Sequence, residues 1–205
     1  MLRISHALSG RNIPVIGVNL GTVGFMTEVV VSEIDKMIDK LIAGEYRIEE
    51  RMMLKGTVIT NAGEDSLQQS SDQTLVEHTL SEHTSVEHTS SEHTSVAYAL
   101  NDIVFARENA LRLIAVEIFV NDKYFDTCEA DGILVATPTG STGYNLSAGG
   151  PIVKGDARLM VMTPISPYSL SRRSVIFGAE DRITLKLIRK RKDIECSGLV
   201  SFDGA

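Results

Sequence analysis

The chain has 205 residues, enough for one large domain or two small ones, and carries a net charge of −7. Its 27 acidic against 20 basic residues, with 5% aromatics and no tryptophan, disfavour a nucleic-acid-binding surface. Two cysteines are too few for a disulfide framework and no apolar run reaches the length of a membrane span, so the cytoplasm, away from the membrane, is the expected location.

The first 45 residues carry helix and strand patterns. Residues 1–10 have the pattern of the last turns of a helix, and the apolar run 13–18 predicts a buried strand that leads into a glycine-rich turn. Such a turn is common in nucleotide sites, although these spacings are not the dinucleotide fingerprint, and tight packing at a strand end is the alternative. Ser32 is then the predicted cap of an amphipathic helix that ends at Gly44.

From residue 46 onward the hydrophobic pattern changes to that of short strands separated by turn residues. Asn121-Asp122 predicts a hairpin turn between two of these strands. The pattern predicts a mainly antiparallel β-sandwich or barrel-like domain over 46–205, and the fold class is therefore α+β with a boundary near residue 45. The predicted strands are 52–60, 97–106, 113–120, 123–128, 133–136, 159–163, 175–177, 183–188 and 199–202.

Residues 64–96 fit neither part. Val76–Ser95 consists of four pentads, VEHTL, SEHTS, VEHTS and SEHTS. A period of five matches neither helix nor strand and the apolar content is low, so a disordered repeat insertion in a surface hairpin loop is predicted. Histidine-rich tracts also bind metals, and a metal site at the four histidines is the less favoured alternative.

The stretch Asp131–Pro151, DGILVATPTGSTGYNLSAGGP, combines an apolar strand pattern with a loop of small and hydroxylated residues. Small residues let a ligand approach the backbone, and successive N–H groups and hydroxyls favour an anion. Asp131 offers a carboxylate for sugar hydroxyls, and Tyr144 offers a ring that can lie against a base. An ordinary turn, with Tyr144 in the core, is the alternative.

Five motifs in order along the chain together strongly resemble the NAD kinase family. The resemblance covers nearly the whole chain outside the pentads. It implies that 1–45 is the C-terminal remnant of an N-terminal α/β, Rossmann-like nucleotide domain, followed by a β-rich NAD-binding domain. The motifs are GVNLGTVGFMTE (Gly17–Glu28), LND (Leu100–Asp102), ADGILVATPTGSTGYNLSAGGPI (Ala130–Ile152), TPISPYSL (Thr163–Leu170) and SFDG (Ser201–Gly204).

The resemblance also implies an activity. Members of the family transfer a phosphoryl group from ATP or polyphosphate to the adenosine-ribose 2′-hydroxyl of NAD, which gives NADP. Mg²⁺ or another divalent cation accompanies ATP. Family members assemble as homo-oligomers, dimers or tetramers, whose sites are completed across subunits.

Carried over residue by residue, the resemblance implies a set of NAD-binding positions and no metal ligand. Asn101 and Asp102 match the family's Asn-Glu pair, here with an acid one methylene shorter, and Asp131 matches the acid that holds NAD. Phe25 would wall the adenine pocket, and Arg112 is a weaker match to a basic position. The segment that wraps adenine and ribose is matched by Thr142, Gly143 (where many relatives have Ala), Tyr144 and Ser147.

The resemblance assigns no catalytic residue to these 205 residues. Relatives carry GGDGT immediately before the positions that match Met1-Leu2, and its Asp is the family's proposed base for the 2′-hydroxyl; relatives also extend beyond Ala205. The chain is therefore expected to have little or no kinase activity by itself. A catalytically inactive dinucleotide-binding module is the alternative. A related lipid or polyol kinase is disfavoured, because no lipid-sized apolar motif is present.

Overall fold

The computed structural model describes residues 2–8, 11, 13–21, 29–61, 73–78, 92–108, 112–188 and 197–204. The chain divides into two compact units, Met1–Glu50 and Arg51–Ala205. This division falls at Glu50, whereas the change of hydrophobic period places the boundary near residue 45. None of the helices in the described ranges has the length and apolar character needed to cross a bilayer.

The first unit contains the helices α1 (Leu2–Ala7) and α2 (Ile34–Ala43) and the short strands β1 (Val18–Asn19) and β2 (Val29–Val30). β1 and β2 are parallel, as in the α/β arrangement that the family resemblance implies. The prediction of a buried strand over 13–18 was wrong, since Ile13 and Ile16 are about half exposed. Within the described residues of this unit, β1 pairs with β2 over only two residues, so the preceding run has no sheet to cover it.

Helix α2 ends at Gly44, as predicted. Gly44 has φ 73°, the left-handed conformation that glycine adopts without strain, and its N–H donates to the carbonyls of Leu41 and Lys40. The prediction that Ser32 caps the helix was wrong: it lies in a 3₁₀ turn over 31–33, and Glu33 at the cap position makes no side-chain cap bond. Met37, on the apolar stripe of this amphipathic helix, is half-buried.

The second unit is built from antiparallel strands. Within the described ranges, five strands form one sheet in the order β11-β10-β9-β6-β13, and six form a second sheet in the order β5-β3-β4-β12-β7-β8. Their bounds are β3 Leu54–Asn61, β4 Gln73–His78, β5 Glu92–Ala99, β6 Asp102–Arg107, β7 Ile114–Val120, β8 Lys123–Ala130, β9 Gly132–Ala136, β10 Leu159–Ile165, β11 Val175–Gly178, β12 Ile183–Ile188 and β13 Gly198–Phe202.

One apolar core lies between the two sheets. Strand β12 alternates buried and half-buried residues, as expected for a strand with one face on a core, and contributes Ile183, Leu185 and Leu187. The five-stranded sheet contributes residues such as Ile103 and Phe105 of β6 to the same cluster. Two sheets that share one core form a β-sandwich, which confirms the predicted fold class.

The predicted hairpin turn at Asn121-Asp122 is confirmed. Asn121 and Asp122 have φ 50° and 64°, the left-handed pair of a two-residue hairpin turn, and they join β7 to β8. Cys128 is buried, as is common for a free cysteine, which packs like a small apolar side chain. Cys196 lies outside the described residues.

Two predictions in the β region need correction. The single strand predicted over 97–106 is two strands, β5 and β6, because the chain turns a corner at Leu100 and Asn101 and passes from one sheet to the other. Residues 73–78 and 92–96, placed by the sequence in a disordered insertion, form strands, since β3 provides a hydrogen-bonding partner on each of its edges. The rest of the range 64–96 lies outside the described residues.

The five-stranded sheet is buried on both of its faces near its centre, and every residue of β9 is buried. Residues opposite each other in an antiparallel pair share a face, so Val104 lies with Leu134 and Thr163 on the side away from the core. The segment that follows β9 contacts this second face through the short helix α3 (Tyr144–Ser147). We call it the outer face; it carries the polar groups described below.

Gly56 of β3 provides a test of how the two sheets pack. A Cβ at this position would overlap the ring of Phe202 in β13 and lie 2.8 Å from Ile103 Cδ1. We expect Gly56→Val to lower the free energy of unfolding by about 1–3 kcal/mol in urea titrations, because it overpacks the core. Thr57→Val places the same side chain on the other face of the strand and should cost less than about 1 kcal/mol. Equal losses in the two variants would contradict this packing.

Candidate functional site

The corner between β5 and β6, Leu100–Asp102, has all of its backbone hydrogen-bonding groups satisfied. Its three N–H groups donate to one carboxylate: Leu100 to Asp203 Oδ2 at 2.8 Å, and Asn101 and Asp102 to Asp203 Oδ1 at 2.7 and 3.1 Å. Its three carbonyls accept from the Thr137 hydroxyl at 2.6 Å, the Thr137 N–H at 2.8 Å and the Asp203 N–H at 3.0 Å. Two residues distant in sequence therefore fix the corner.

The loop after β9 lies directly on this corner. The Thr137 hydroxyl accepts from the Gly140 N–H at 3.0 Å, and Gly140 begins a 3₁₀ turn over 140–142. A Cβ at Gly140 would overlap the carbonyl oxygen of Asn101, so this loop can approach the corner only because residue 140 is glycine. We call residues 100–102, 137–147 and 203 together the hydroxyl-loop cluster.

Asn145 fastens the loop to the outer face of the sheet. Its fully buried amide donates to the carbonyls of Ser141 at 3.0 Å and Pro151 at 2.9 Å, and its oxygen accepts from the Thr163 hydroxyl of β10 at 2.8 Å. Ser141 is also fully buried and donates its hydroxyl to the Pro138 carbonyl at 2.6 Å. Ser141 and Asn145 thus use their polar groups within the protein, and they hold in place the loop backbone that a ligand would contact.

Asp102 is buried, with 6% of its surface exposed, on the outer face of the sheet. A Cβ at Gly143 would lie 3.9 Å from Asp102 Oδ2 and 3.3 Å from the Gly140 carbonyl oxygen, so the loop covers the carboxylate closely. The pKa of Asp102 is raised from 3.8 to about 6, chiefly because burial removes water from the carboxylate and further because the Asp203 charge is near.

The remaining predicted contacts of this loop follow in α3 and the turn before it. Thr142 is half-buried, and its hydroxyl lies 3.4 Å from the Thr139 carbonyl oxygen. Tyr144 is 46% exposed and Ser147 is exposed. The alternative that Tyr144 is ordinary core is therefore wrong. The structure brings Asn101, Asp102 and the 142–147 segment together in one cluster.

Asp131 lies elsewhere. Asp102 pairs with Ala136 and Ala106 with Gly132, so Asp131 stands at the opposite end of β9 from Thr137. Asp131 and Thr137 flank this strand and are six residues apart in an extended segment, so they are separated by about 20 Å. On a single chain, Asp131 therefore does not meet the same ligand group as the hydroxyl-loop cluster.

A second polar group surrounds Asp131. Arg107 Nε lies 3.0 Å from Asp131 Oδ1, and the Arg107 N–H donates to the Asp131 carbonyl at 2.8 Å. Arg112 is exposed at the same end, two residues before Ile114, which pairs with Ala130. We call Arg107, Arg112 and Asp131 the Asp131 cluster. Phe25 lies outside the described residues.

Sequence reasoning missed three residues of these clusters. Asp203 and Thr137 fix the Leu100–Asp102 corner, and Arg107 pairs with Asp131. Asp203 lies within the SFDG motif, but the sequence motifs assign it no role. An Asp-Gly pair at the end of a strand predicts a turn. It does not predict that the carboxylate binds backbone groups about 100 residues earlier in the chain. The described residues contain no group of three or more His, Cys, Asp or Glu side chains that could hold a metal ion.

Two family models match the chain. The ATP-NAD kinase C-terminal domain matches residues 100–204, and the ATP-NAD kinase N-terminal domain matches residues 1–46. The first match contains every described residue of both clusters.

Curated relatives and solved structures agree with these matches. The NAD kinase of Lachnospira eligens is 40% identical over 91% of this chain and 54% of its own length. That of Lachnoclostridium phytofermentans is 36% identical over 100% of this chain and 62% of its own length. A crystal structure of yeast NADH kinase complexed with NADH matches with TM-score 0.74 and 30% identity over 93% of this chain and 46% of that one. An Archaeoglobus fulgidus NAD kinase in complex with ATP, 24% identical with TM-score 0.63, shares the fold. The chain thus spans about half to three fifths of the length of these relatives.

The raised pKa of Asp102 predicts how stability depends on pH. The folded state binds the proton more tightly than the unfolded chain, so Asp102 contributes stability that is fully present below pH 3.8 and is lost as the pH rises through about 6. The loss is of the order of 3 kcal/mol. Asp102→Asn carries no charge, so its unfolding free energy relative to the unsubstituted chain should rise by about this amount between about pH 4 and pH 7, measured by urea titration.

Asp156→Asn is the matched control, with the opposite sign. A hydrogen bond from Lys154 lowers the pKa of the exposed Asp156, so that carboxylate stabilises the fold above pH 3.8 and loses its effect as the pH falls. Asp156→Asn should therefore lose stability toward neutral pH, where Asp102→Asn gains it. Parallel pH curves for the two variants would contradict the burial of Asp102.

Proposed function

Because the chain belongs to the ATP-NAD kinase family, we propose that the protein transfers the γ-phosphoryl group of ATP or polyphosphate to the adenosine-ribose 2′-hydroxyl of NAD. The observation that carries this proposal is the hydroxyl-loop cluster, in which an Asn-acid pair and a glycine-rich loop are held against each other. The yeast relative was solved with a dinucleotide bound, which supports a dinucleotide as the ligand of this fold.

Each predicted residue has a role in this proposal. Asn101 and the Asp102 carboxylate bind ribose and nicotinamide groups, and the exposed ring of Tyr144 stacks on a base. Thr142, Gly143 and Ser147 wrap the adenosine. Binding favours ionised Asp102, because a carboxylate accepts two sugar hydroxyls and a protonated acid accepts fewer.

The reaction itself needs groups beyond the two clusters. The 2′-oxygen bonds to the γ-phosphorus, the bond from that phosphorus to the bridging oxygen breaks, ADP leaves, and the hydroxyl proton passes to a base. The family resemblance assigns that base to a GGDG aspartate. Since the described residues offer no metal-ligand group, we propose that the divalent cation enters with the ATP phosphates. The residues of this chain bind and orient the dinucleotide.

The separation of the two clusters favours a homo-oligomer, a dimer or tetramer. Asp131 and the hydroxyl-loop cluster lie at opposite ends of β9, so both reach one NAD molecule only if Asp131 of a second copy faces the first copy's Asn101. Arg107 holds the Asp131 carboxylate in place, and Arg112 is exposed two residues before Ile114, which pairs with Ala130. We place the enzyme in the cytoplasm, which suits the free thiol of Cys128.

A paired assay tests the activity. With ATP, Mg²⁺ and NAD, a version extended upstream by the family's GGDGT segment and its preceding domain should form NADP. If the family's GGDG aspartate is the base, the 205-residue chain should be slower by about 10² or more, the factor that a general base and phosphate-binding groups contribute. Equal rates would place the base within this chain, whereas NAD binding without turnover in both would favour the inactive binding module.

Tyr144→Ala tests the binding site. Loss of a stacked ring should weaken NAD binding by about tenfold to a hundredfold in calorimetric titrations. Tyr124→Ala, which removes an exposed tyrosine from the β7–β8 hairpin, is the matched control and should leave NAD affinity unchanged. Equal effects of the two substitutions would remove Tyr144 from the site.

Mixed oligomers test the shared site. Asn101→Ala and Asp131→Ala should each abolish most NADP formation when assayed alone in the extended protein. If two copies build each site, refolding the two variants together should restore about a quarter of the original activity in a dimer, because half of the dimers are mixed and each mixed dimer has one intact site. No recovery would mean that Asp131 does not complete a neighbouring site.

A further inference from the structure

We propose that Asp203 is a positioning residue for dinucleotide binding, which acts through the backbone of Asn101 and Asp102 and does not touch the ligand. This inference rests on the proposed function. It adds a residue that belongs to neither the Asn-acid pair nor the glycine-rich loop and that lies about 100 residues beyond the pair it orients.

The carboxylate of Asp203 matches its three donors in a way that no neutral side chain reproduces. Oδ1 accepts from the N–H groups of Asn101 and Asp102, and Oδ2 accepts from that of Leu100. Bonds of this kind to an ionised acceptor are shorter and stronger than those between neutral groups. An asparagine has one acceptor oxygen, and its NH₂ group would face an N–H donor, so at least one corner amide would lose its partner.

The backbone at Asp203 contributes as well. Asp203 has φ 54° and Gly204 φ 80°, a left-handed pair that aspartate and glycine adopt more readily than other residues. In this conformation the Asp203 N–H donates to the Asp102 carbonyl at 3.0 Å while the side chain accepts from the other side of the corner. Asp203 thus binds the backbone of the corner through both its N–H group and its carboxylate, which restrains the position and the orientation of the corner.

The glycine-rich loop packs closely against the corner. Gly140 packs directly on the Asn101 carbonyl, and the position of a Cβ on Gly143 lies 3.9 Å from Asp102 Oδ2. A small rotation of the corner would either move Asn101 into the loop or draw the Asp102 carboxylate away from it. Because binding contacts depend on placement within about 0.5 Å, loss of the Asp203 bonds should weaken binding without removing any ligand-contacting side chain.

The test compares Asp203→Asn with Asp181→Asn in the extended protein. Asp181 is the matched control, because its carboxylate also accepts from a backbone N–H, that of Gly178 at 2.8 Å, and from the Asn121 amide at 2.8 Å, and neither partner belongs to the two clusters. Asp203→Asn should raise Kd and KM for NAD by about tenfold to a hundredfold and change kcat by less than about tenfold. Asp181→Asn should change neither constant.

Amide NMR shifts provide a readout that does not depend on activity. In Asp203→Asn the N–H resonances of Leu100, Asn101 and Asp102 should move upfield as their charge-assisted bonds weaken, whereas Asp181→Asn should leave them in place. If Asp203→Asn does not fold, Asp203→Glu is the second variant, because it keeps the charge but displaces both oxygens by one methylene. It should also raise the Kd for NAD and move the same three N–H resonances.

The outcomes separate the two proposals. An unchanged Kd and KM in a variant whose three amides have shifted would overturn the positioning role alone. A fall in kcat with KM unchanged would also overturn it, since that result reports a smaller folded fraction. An unsubstituted protein without affinity for NAD or NADH would overturn the proposed function, and the positioning role with it.

Discussion

The candidate site depends on one backbone constraint. When the chain passes from the six-stranded to the five-stranded sheet it must turn, and the turn at Leu100–Asp102 exposes six backbone groups that belong to neither ladder. Buried groups of this kind are costly when unpaired. Thr137 and Asp203 satisfy all six, so the same bonds that allow the turn also bring the glycine-rich loop and the last strand to the Asn-acid pair.

The five-stranded sheet serves two purposes because both of its faces are covered. Its inner face belongs to the sandwich core, and its outer face carries Asp102 and Thr163 beneath the loop that Asn145 fastens. If the outer face were exposed to solvent, water would hydrate these polar groups. Covering them makes the Asp102 carboxylate harder to ionise, which lowers the stability of the fold at neutral pH.

The sequence predicts the elements better than their connections. Alternating apolar residues placed most strands, and Asn121-Asp122 placed a hairpin, because these signals are local. The sequence pattern predicts one continuous strand across the corner at Leu100. The residues that fix this corner, Thr137 and Asp203, are 37 and 103 residues away in sequence, so no local signal marks the turn. The motifs supplied candidate residues for the site, but not the fact that Asp131 stands at the other end of β9, which only the strand register shows. The apolar residues Ile13, Val15 and Ile16, which are 43–53% exposed, illustrate a third limit, because no local pattern shows which element would cover them.

The sequence distance between Asp203 and the corner also sets an order of events during synthesis. The ribosome completes Leu100–Asp102 and the glycine-rich loop well before residue 203 emerges, so Thr137 can engage the corner while its N–H groups still lack their acceptor. The nascent chain therefore contains every predicted ligand-contacting residue of these 205 residues before the bonds from Asp203 have fixed the geometry of the corner. Under the proposed positioning role of Asp203, affinity for the dinucleotide would appear only when β13 pairs with β6 and brings Asp203 to the corner.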